Sequence, residues 1–203
     1  MMRFFQMLRF PFYNGIYLPF KIYHKTYIRI RNTAELKLGG RVTIGSPLSK
    51  LAMVSCLPTN LYFGYGSKIN IGSSVSIGPG VNIIVKDNAD LSIGENSYFT
   101  SDMHIEAVNK IEIGKGCAIS WGVTIIDDHH HQLLDDKNKI KQPEMISIKD
   151  HVWIGCNVTI LKGTQIGNNC VVGAGSVVKG VFPDNVLLAG NPARIIKQDI
   201  NWK

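Results

Sequence analysis

The sequence is poor in cysteine, and its cysteines show no spacing that indicates a metal or redox site. The four residues, Cys56, Cys117, Cys156 and Cys170, form no C-x-x-C pair, which is the usual signature of structural zinc or of thioredoxin-like chemistry. Nothing at the N-terminus resembles a cleavable signal with an A-x-A-like site. We therefore expect a cytoplasmic protein that holds no metal, with Cys117 and Cys170 as small core residues.

Acidic residues are absent from residues 1–34, which carry six Lys and Arg side chains. The whole chain has a net charge of +7, so the remainder is nearly neutral and does not resemble a nucleic-acid-binding protein. Pro11, Gly15 and Pro19 interrupt this aromatic-rich segment too often for a membrane-spanning helix. We expect residues 1–35 to form an extension that either contacts an anionic membrane surface or packs as a cap over the end of the domain.

A helical period and simple strand alternation are both missing from residue 71 onward, where aliphatic residues recur every six positions. The longest run consists of Ile148, Ile154, Ile160, Ile166, Val172 and Val178. A period of six fits a triangular coil of three short strands, each with one aliphatic side chain pointing inward. Stacked coils hydrogen-bond in parallel at about 4.8 Å. The repeat predicts an all-β parallel β-helix over residues 36–183, followed by a C-terminal segment, 184–203.

One break in the repeat is large enough to predict a protruding loop. Ile125 and Ile148 are 23 residues apart, which we interpret as one coil of 18 residues plus five. A solenoid accommodates extra residues only outward, so we expect a loop over residues 127–146. This loop contains three consecutive histidines, 129–131, beside two carboxylates. A histidine can remove a proton from a hydroxyl at neutral pH, although a histidine-rich loop can equally be a solvated turn.

Three stretches resemble a known enzyme family. They are IGKGCAISWGVTIID at 113–127, HVWIGCNVTILKGTQIGNNCVVGAGSVV at 151–178 and AGNPARIIK at 189–197. From about residue 66 to the C-terminus, the sequence resembles the hexapeptide-repeat O-acetyltransferases that modify capsule, O-antigen and exopolysaccharide sugars and are related to maltose and galactoside acetyltransferases. The resemblance implies a left-handed β-helix that transfers acetyl from acetyl-CoA to a sugar hydroxyl.

The resemblance also implies a catalytic base on the predicted loop. In the family a histidine follows the VTI strand in a D-x-D-x-H pattern and deprotonates the acceptor hydroxyl. Counting from Asp127 places this base at His131, with Asp127 as a supporting carboxylate. Here His129 stands where the second Asp of the pattern would be. Alignment to the shorter loop of the sugar acetyltransferases gives His130 instead, and the choice between these neighbours stays open.

The resemblance places acetyl-CoA in a groove along the C-terminal coils, between neighbouring subunits of a homotrimer. The implied contacts are Trp153, Cys156, Ala174, Gly175, Lys179, Arg194 and Lys197. In this assignment the Trp153 and Cys156 turn lies along the pantetheine arm, and Arg194 and Lys197 meet the phosphates. One residue is deleted before Lys179 relative to the family. Asp102 stands where the sugar acetyltransferases carry an Asn that contacts the acceptor.

Two other functions are compatible with a β-helix. A γ-type carbonic anhydrase binds zinc through histidines of separate coils, but three consecutive histidines on one loop converge poorly on one ion. A non-enzymatic scaffold would use the flat faces for assembly, yet it has no need for the histidine loop, the GAGS turn and the NPAR segment together. The sequence favours the acetyltransferase, located in the cytoplasm and in peripheral contact with the inner face of the cell membrane if residues 1–34 bind it.

Overall fold

The strands form three large sheets, and successive strands along the chain belong to successive sheets. The computed structural model describes residues 12–13, 16–17, 20–23, 25–46, 57–128 and 144–203. Sheet 1 contains β3 (Phe20–Ile22), β6 (Val42–Ile44), β9 (Val75–Ile77), β12 (Tyr98–Phe99), β15 (Ala118–Ile119), β18 (Trp153–Ile154), β21 (Val171–Val172), β24 (Leu187–Gly190) and β25 (Ala193–Lys197). Sheet 2 contains β4 (Thr26–Ile30), β7 (Thr59–Phe63), β10 (Asn82–Val85), β13 (His104–Ala107), β16 (Thr124–Ile126), β19 (Thr159–Ile160) and β22 (Val177–Val178). Sheet 3 contains β5 (Glu35–Leu38), β8 (Lys68–Ile71), β11 (Asp90–Ile93), β14 (Lys110–Ile113), β17 (Ile146–Ile148), β20 (Gln165–Ile166) and β23 (Val181–Phe182).

Every third strand belongs to the same sheet, so each set of three strands makes one turn of a triangular coil. Neighbouring strands of the three sheets pair in parallel, apart from β25, which pairs antiparallel with β24. A separate short hairpin joins β1 (Phe12–Tyr13) to β2 (Ile16–Tyr17). The described residues include no α-helix, and hence none able to cross a membrane. The fold is the predicted all-β, left-handed parallel β-helix.

The core is the column of aliphatic residues that the six-residue period predicts. Ile154, Ile160 and Val178 have no exposed surface, and Ile148 and Ile166 expose only 1%. Each contributes about 1.5–3 kcal/mol by leaving water. Cys117 and Cys170 also have no exposed surface, which confirms the prediction that both pack as core residues.

The number of residues inserted between β16 and β17 is larger than the five that the repeat count predicts. Ile125 of β16 pairs with Ile160, 35 positions later, whereas Ile160 pairs with Val178 after a coil of 18. The interpretation of 23 residues as one coil plus five is wrong because Ile125 lies in sheet 2 and Ile148 in sheet 3. These two residues lie in successive strands of the same coil. Nearly all of the extra residues between them belong to the loop.

The parallel ladders extend beyond the predicted limits at residues 36 and 183. At the N-terminal end, β3 pairs with β6 and β4 pairs with β7, so residues 20–30 already form part of the helix. Ile28 and Ile30 of β4 pack against the core at a spacing of two, which a search for a period of six misses. At the other end, β24 continues sheet 1 by pairing with β21.

Candidate functional site

Five residues of interest lie on one corner of the helix, where the chain passes from sheet 1 to sheet 2. We call this the 1–2 corner, formed by residues 78–80, 100–102, 120–122, 155–157 and 173–175 of successive coils. Backbone hydrogen bonds join the turns from Asp102 N to Pro79 O (3.1 Å), Gly122 N to Ser101 O (3.2 Å), Asn157 N to Trp121 O (2.9 Å) and Gly175 N to Cys156 O (2.9 Å). Asp102, Trp121, Cys156, Ala174 and Gly175 are therefore stacked along one edge.

The C-terminal part of the 1–2 corner is open to solvent. Ala174 and Gly175 are exposed and Cys156 is half-buried. Gly175 has a φ of +70°, and a Cβ built there would meet nothing within 4 Å. A Cβ at Gly155 would instead lie 2.7 Å from Ala174 N, because the two turns approach closely. The result is an open edge of small residues, along which an extended chain can lie close to the backbone.

Two cationic residues lie near this end of the 1–2 corner, on the edge strand β25. Arg194 pairs with Ala189 of β24, and Ala189 lies one coil beyond Gly173, since Gly173 N donates to Leu188 O at 2.7 Å. Arg194 is exposed, and its guanidinium donates to Ala193 O at 2.8 Å. Lys197 is exposed and pairs with Leu187 of the same sheet. Both cations are free to meet an anion in solvent at the C-terminal end of the helix.

Trp153 lies on the outer face of sheet 1 rather than on the corner. Its side chain is 44% exposed, between Ala118 and Val171 of the neighbouring strands. Trp202, in the C-terminal segment, stacks on His151 with ring centroids 4.2 Å apart and planes within 7°. Its indole Nε1 donates to His151 O at 2.8 Å, and its ring is tilted against Trp153 at 6.1 Å. The C-terminal segment therefore packs beside Trp153 and restricts its indole.

Asp127 is buried where the inserted loop leaves the helix. Its carboxylate accepts three backbone N–H groups of the preceding coil, from Val108 (2.7 Å), Asn109 (2.9 Å) and Lys110 (2.7 Å). Burial raises the pKa of Asp127 even though the three hydrogen bonds oppose the shift. Glu144 N donates to Asp127 O at 3.2 Å, so the loop leaves and rejoins the helix at one point. The carboxylate fixes the base of the loop.

His130 and His131, the two candidates for the catalytic base, lie outside the described residues, as does all of 129–143. The loop nevertheless begins at a defined place, the corner between sheets 2 and 3. Lys179 lies on this same corner, between β22 and β23, and is exposed. The structure therefore places Asp127 and Lys179 on the same corner, two coils apart, and separates Lys179 from Cys156 and Ala174 by the width of sheet 2.

No group of three or more His, Cys, Asp or Glu residues is placed to hold a metal ion within the part of the chain that the structure describes. The two described histidines with side-chain contacts serve other purposes. His104 Nε2 lies 3.2 Å from Glu106, which also binds Lys86 at 2.9 Å. His151 Nδ1 lies 3.1 Å from Asn169 Oδ1, beneath the Trp202 ring. Neither forms part of the 1–2 corner.

The three described cysteines differ in a way that labelling can test. Burial raises the pKa of Cys117 to about 11, so only about one thousandth of it is thiolate at pH 8, and burial also raises the pKa of Cys170. In a Cys56→Ser variant we expect a disulfide reagent to modify Cys156 alone in the native protein, and the other two thiols only after unfolding. The additional Cys156→Ser substitution is the control and should remove the native reaction. Modification of a second thiol in the folded Cys56→Ser protein would contradict the burial.

Sequence reasoning missed one exposed aromatic residue on the 1–2 corner. Trp121 is 54% exposed and lies between the turns of Asp102 and Cys156. It lies within the stretch 113–127 that carries the family resemblance, which assigns no role to this tryptophan. The repeats were aligned by their buried aliphatic residues. Aligning them by their turns shows that this coil has a tryptophan at a position where the other coils carry small residues.

Comparison with known proteins gives a consistent set of similarities. Residues 145–180 match the family model described as bacterial transferase hexapeptide (six repeats). The chain is 32% identical over 148 residues, which is 68% of the chain and 75% of the relative, to WbbJ of Escherichia coli (strain K12), whose name assigns it to lipopolysaccharide biosynthesis O-acetyl transfer.

Solved structures of two named acetyltransferases resemble the fold. The polysialic acid O-acetyltransferase OatWY is 26% identical, with a TM-score of 0.55 and coverage of 91% of this chain and 90% of that one. A galactoside acetyltransferase in complex with coenzyme A is 30% identical, with a TM-score of 0.53 and coverage of 66% and 65%.

Proposed function

The chain belongs to the hexapeptide-repeat O-acetyltransferase family, and from this premise we propose that it transfers an acetyl group from acetyl-CoA to a sugar hydroxyl in the synthesis of a surface polysaccharide. The observation that carries the proposal is the open stack of Cys156, Ala174 and Gly175 on the 1–2 corner, with Arg194 one coil further. An open edge of small residues that ends at a fixed positive charge suits a long flexible arm that ends in phosphates.

The proposed acetyl-CoA contacts follow from this geometry. Arg194 and Lys197 bind the phosphates of CoA, and the pantetheine arm runs along the 1–2 corner past Gly175, Ala174 and Cys156. Gly175 supports this path because it leaves open space above its backbone. Trp153 forms a neighbouring wall, held by its contact with Trp202. Lys179 lies on another corner of the same chain, and we propose that it meets the cofactor of an adjacent site.

The proposed chemistry needs one general base. His131 removes the proton from the acceptor hydroxyl while the oxygen attacks the thioester carbonyl. The tetrahedral intermediate then expels CoA as a thiolate, which takes the proton back from the imidazolium, so that no proton or electron is left over. His130 remains the alternative base. Asp127 supports the loop from its base, since its carboxylate is already held by three N–H groups.

We propose that each active site is made by two chains of a homotrimer. The candidate residues of one chain occupy two corners on opposite edges of sheet 2: Cys156, Ala174 and Gly175 on one, and Lys179 with the loop base at Asp127 on the other. Two neighbouring chains can bring unlike corners together, which gives three equivalent sites by symmetry.

We propose that the acceptor is a saccharide and that Asp102 contacts it. We also propose that the protein acts in the cytoplasm. Relatives named for lipopolysaccharide and polysialic acid support an acceptor of the surface-polysaccharide class.

We also propose that the basic segment 1–34 contacts anionic membrane lipid. Because residues 20–30 belong to the helix, the appropriate variant combines deletion of residues 1–19 with glutamine at the exposed Lys21, Lys25 and Arg29. Unchanged sedimentation of this variant with anionic vesicles would oppose the membrane contact.

The experiment that tests the function is release of free CoA thiol from acetyl-CoA, measured with and without a panel of sugars and polysaccharide repeat units. We expect thiol release to depend on one class of acceptor, with acetyl ester appearing on that sugar by mass spectrometry. Binding of CoA is measured in parallel by calorimetry. No release with any acceptor, combined with no CoA binding by the folded protein, would favour a non-enzymatic scaffold.

A further inference from the structure

Trp121 is the one large side chain in its column of the 1–2 corner. In the five stacked turns the equivalent position is occupied by Pro79, Ser101, Trp121, Cys156 and Ala174. The indole is 54% exposed. The residues two positions before and after it, Ile119 and Val123, are buried in the core. Packing in the core therefore does not explain a tryptophan here. Its neighbours in the column on either side, Ser101 and Cys156, carry small side chains.

The position of Trp121 along the helix coincides with the reacting end of acetyl-CoA. Three coil steps separate the turn of Ala189, which pairs with Arg194, from that of Trp121, a distance of about 14 Å at about 4.8 Å per coil. The pantetheine arm has about twelve bonds between its phosphate and its sulfur, which is about 15 Å when extended. With phosphates at Arg194, the thioester reaches the level of Trp121.

The acceptor side begins on the other side of the same residue. Asp102, the proposed acceptor contact, lies one coil step beyond Trp121, because Gly122 N donates to Ser101 O. Asp102 is exposed and has a φ of +50°. An exposed indole between the thioester position and an acceptor-binding carboxylate is placed to contact the sugar that is acetylated.

We propose that Trp121 is the platform on which the acceptor pyranose lies, with the C–H face of the sugar against the indole and a ring hydroxyl bound by Asp102. This inference rests on the proposed function. Sugar rings have apolar C–H faces between their polar edges, and a flat aromatic surface binds such a face while leaving the hydroxyls free to bind polar groups. The indole also excludes water from the thioester, so that the sugar hydroxyl, and not water, is the nucleophile.

The test compares Trp121→Ala with Trp121→Phe in steady-state kinetics on the acceptor identified by thiol release. We expect the alanine variant to raise the KM for the acceptor about tenfold, to leave the KM for acetyl-CoA within about twofold, and to increase acceptor-independent thiol release. Phenylalanine should restore most of the acceptor KM, because it keeps a flat apolar face.

Other results separate the failure of this inference from failure of the proposed function. If wild-type protein transfers acetyl and Trp121→Ala leaves the acceptor KM unchanged, the platform is wrong. A rise in the KM for acetyl-CoA alone, or a smaller species in size-exclusion chromatography, would also overturn it, because Trp121 would then serve the cofactor or a contact between chains. If wild-type protein neither binds CoA nor releases thiol, the proposed function itself fails.

Discussion

Replacement of His131 by alanine is expected to lower kcat for acetyl transfer by about 10² to 10⁴, the range that a general base contributes. The KM for acetyl-CoA should stay within about twofold, since the described groups proposed to bind it, Cys156, Ala174, Gly175 and Arg194, are unchanged. Wild-type activity should fall as acid protonates the imidazole, and this limb of the pH profile should disappear in the variant. The measurement is thiol release under saturating acceptor from pH 5 to pH 9.

His130→Ala is the matched control, because it removes the neighbouring imidazole from the same loop. We expect it to retain more than about a tenth of the wild-type rate. The opposite pattern would assign the base to His130, the alternative that the shorter loop of related enzymes favours. If both single variants and the double variant keep most of the wild-type rate, the base does not lie in the histidine cluster.

The same variant tests whether one site is shared between two chains. His131→Ala and Arg194→Ala chains, each inactive alone, are mixed in equal amounts by co-expression and purified by two different tags. If the histidine and arginine of one site come from different chains, about a third of the sites in the purified mixed trimers recover both wild-type groups. Activity equal to the sum of the two parents would show that each site lies within one chain.

Gly78→Ala is expected to prevent folding or to lower the melting temperature by about 10 °C or more. A Cβ at Gly78 would lie 1.5 Å from Thr100 O of the next coil, and neither backbone can move without breaking the parallel ladder between β9 and β12. A substitution that causes such a clash lowers the free energy of unfolding by about 4 kcal/mol or more. In a chain of this size each kcal/mol lowers the melting temperature by about 2–4 °C.

Gly116→Ala separates contact from conformational strain. Gly116 has a φ of +61°, but a Cβ there meets nothing within 4 Å, so alanine costs only the about 1–2 kcal/mol of the left-handed conformation. We expect a decrease of about 8 °C or less, measured by circular dichroism on heating. Equal effects of the two substitutions would contradict the argument that close approach of the coils makes Gly78 irreplaceable.

The sequence predicts the core well because the same physical requirement recurs in every coil. A side chain such as Ile154 must fill the axis while Gly155 allows the next turn to approach, so a six-residue period predicts burial directly. The number of inserted residues was underestimated because the period does not say which sheet a residue occupies, and Ile125 and Ile148 lie on different sheets. The strand β4 was missed because its side chains alternate.

The candidate site could be predicted only in part, because a linear motif does not state on which corner its residues fall. Cys156, Ala174 and Gly175 lie together as the resemblance implies, while Lys179 lies across sheet 2. Trp121 carries no motif of its own, and its exposure becomes visible only when the turns are stacked. The contact of Trp202 with His151 joins residues 51 positions apart, which no local pattern predicts.

The antiparallel strand β25 has a consequence for the state of the protein at high concentration. The last coil of a parallel β-helix presents unpaired N–H and C=O groups, which can template another chain and begin a fibre. Here β25 covers the C-terminal edge of sheet 1 by pairing with β24, and the final strands of the other two sheets, β22 and β23, are two residues each. Strand β25 thus blocks the addition of another chain to β24. We expect a truncation before residue 193 to expose this edge and to promote head-to-tail polymerisation.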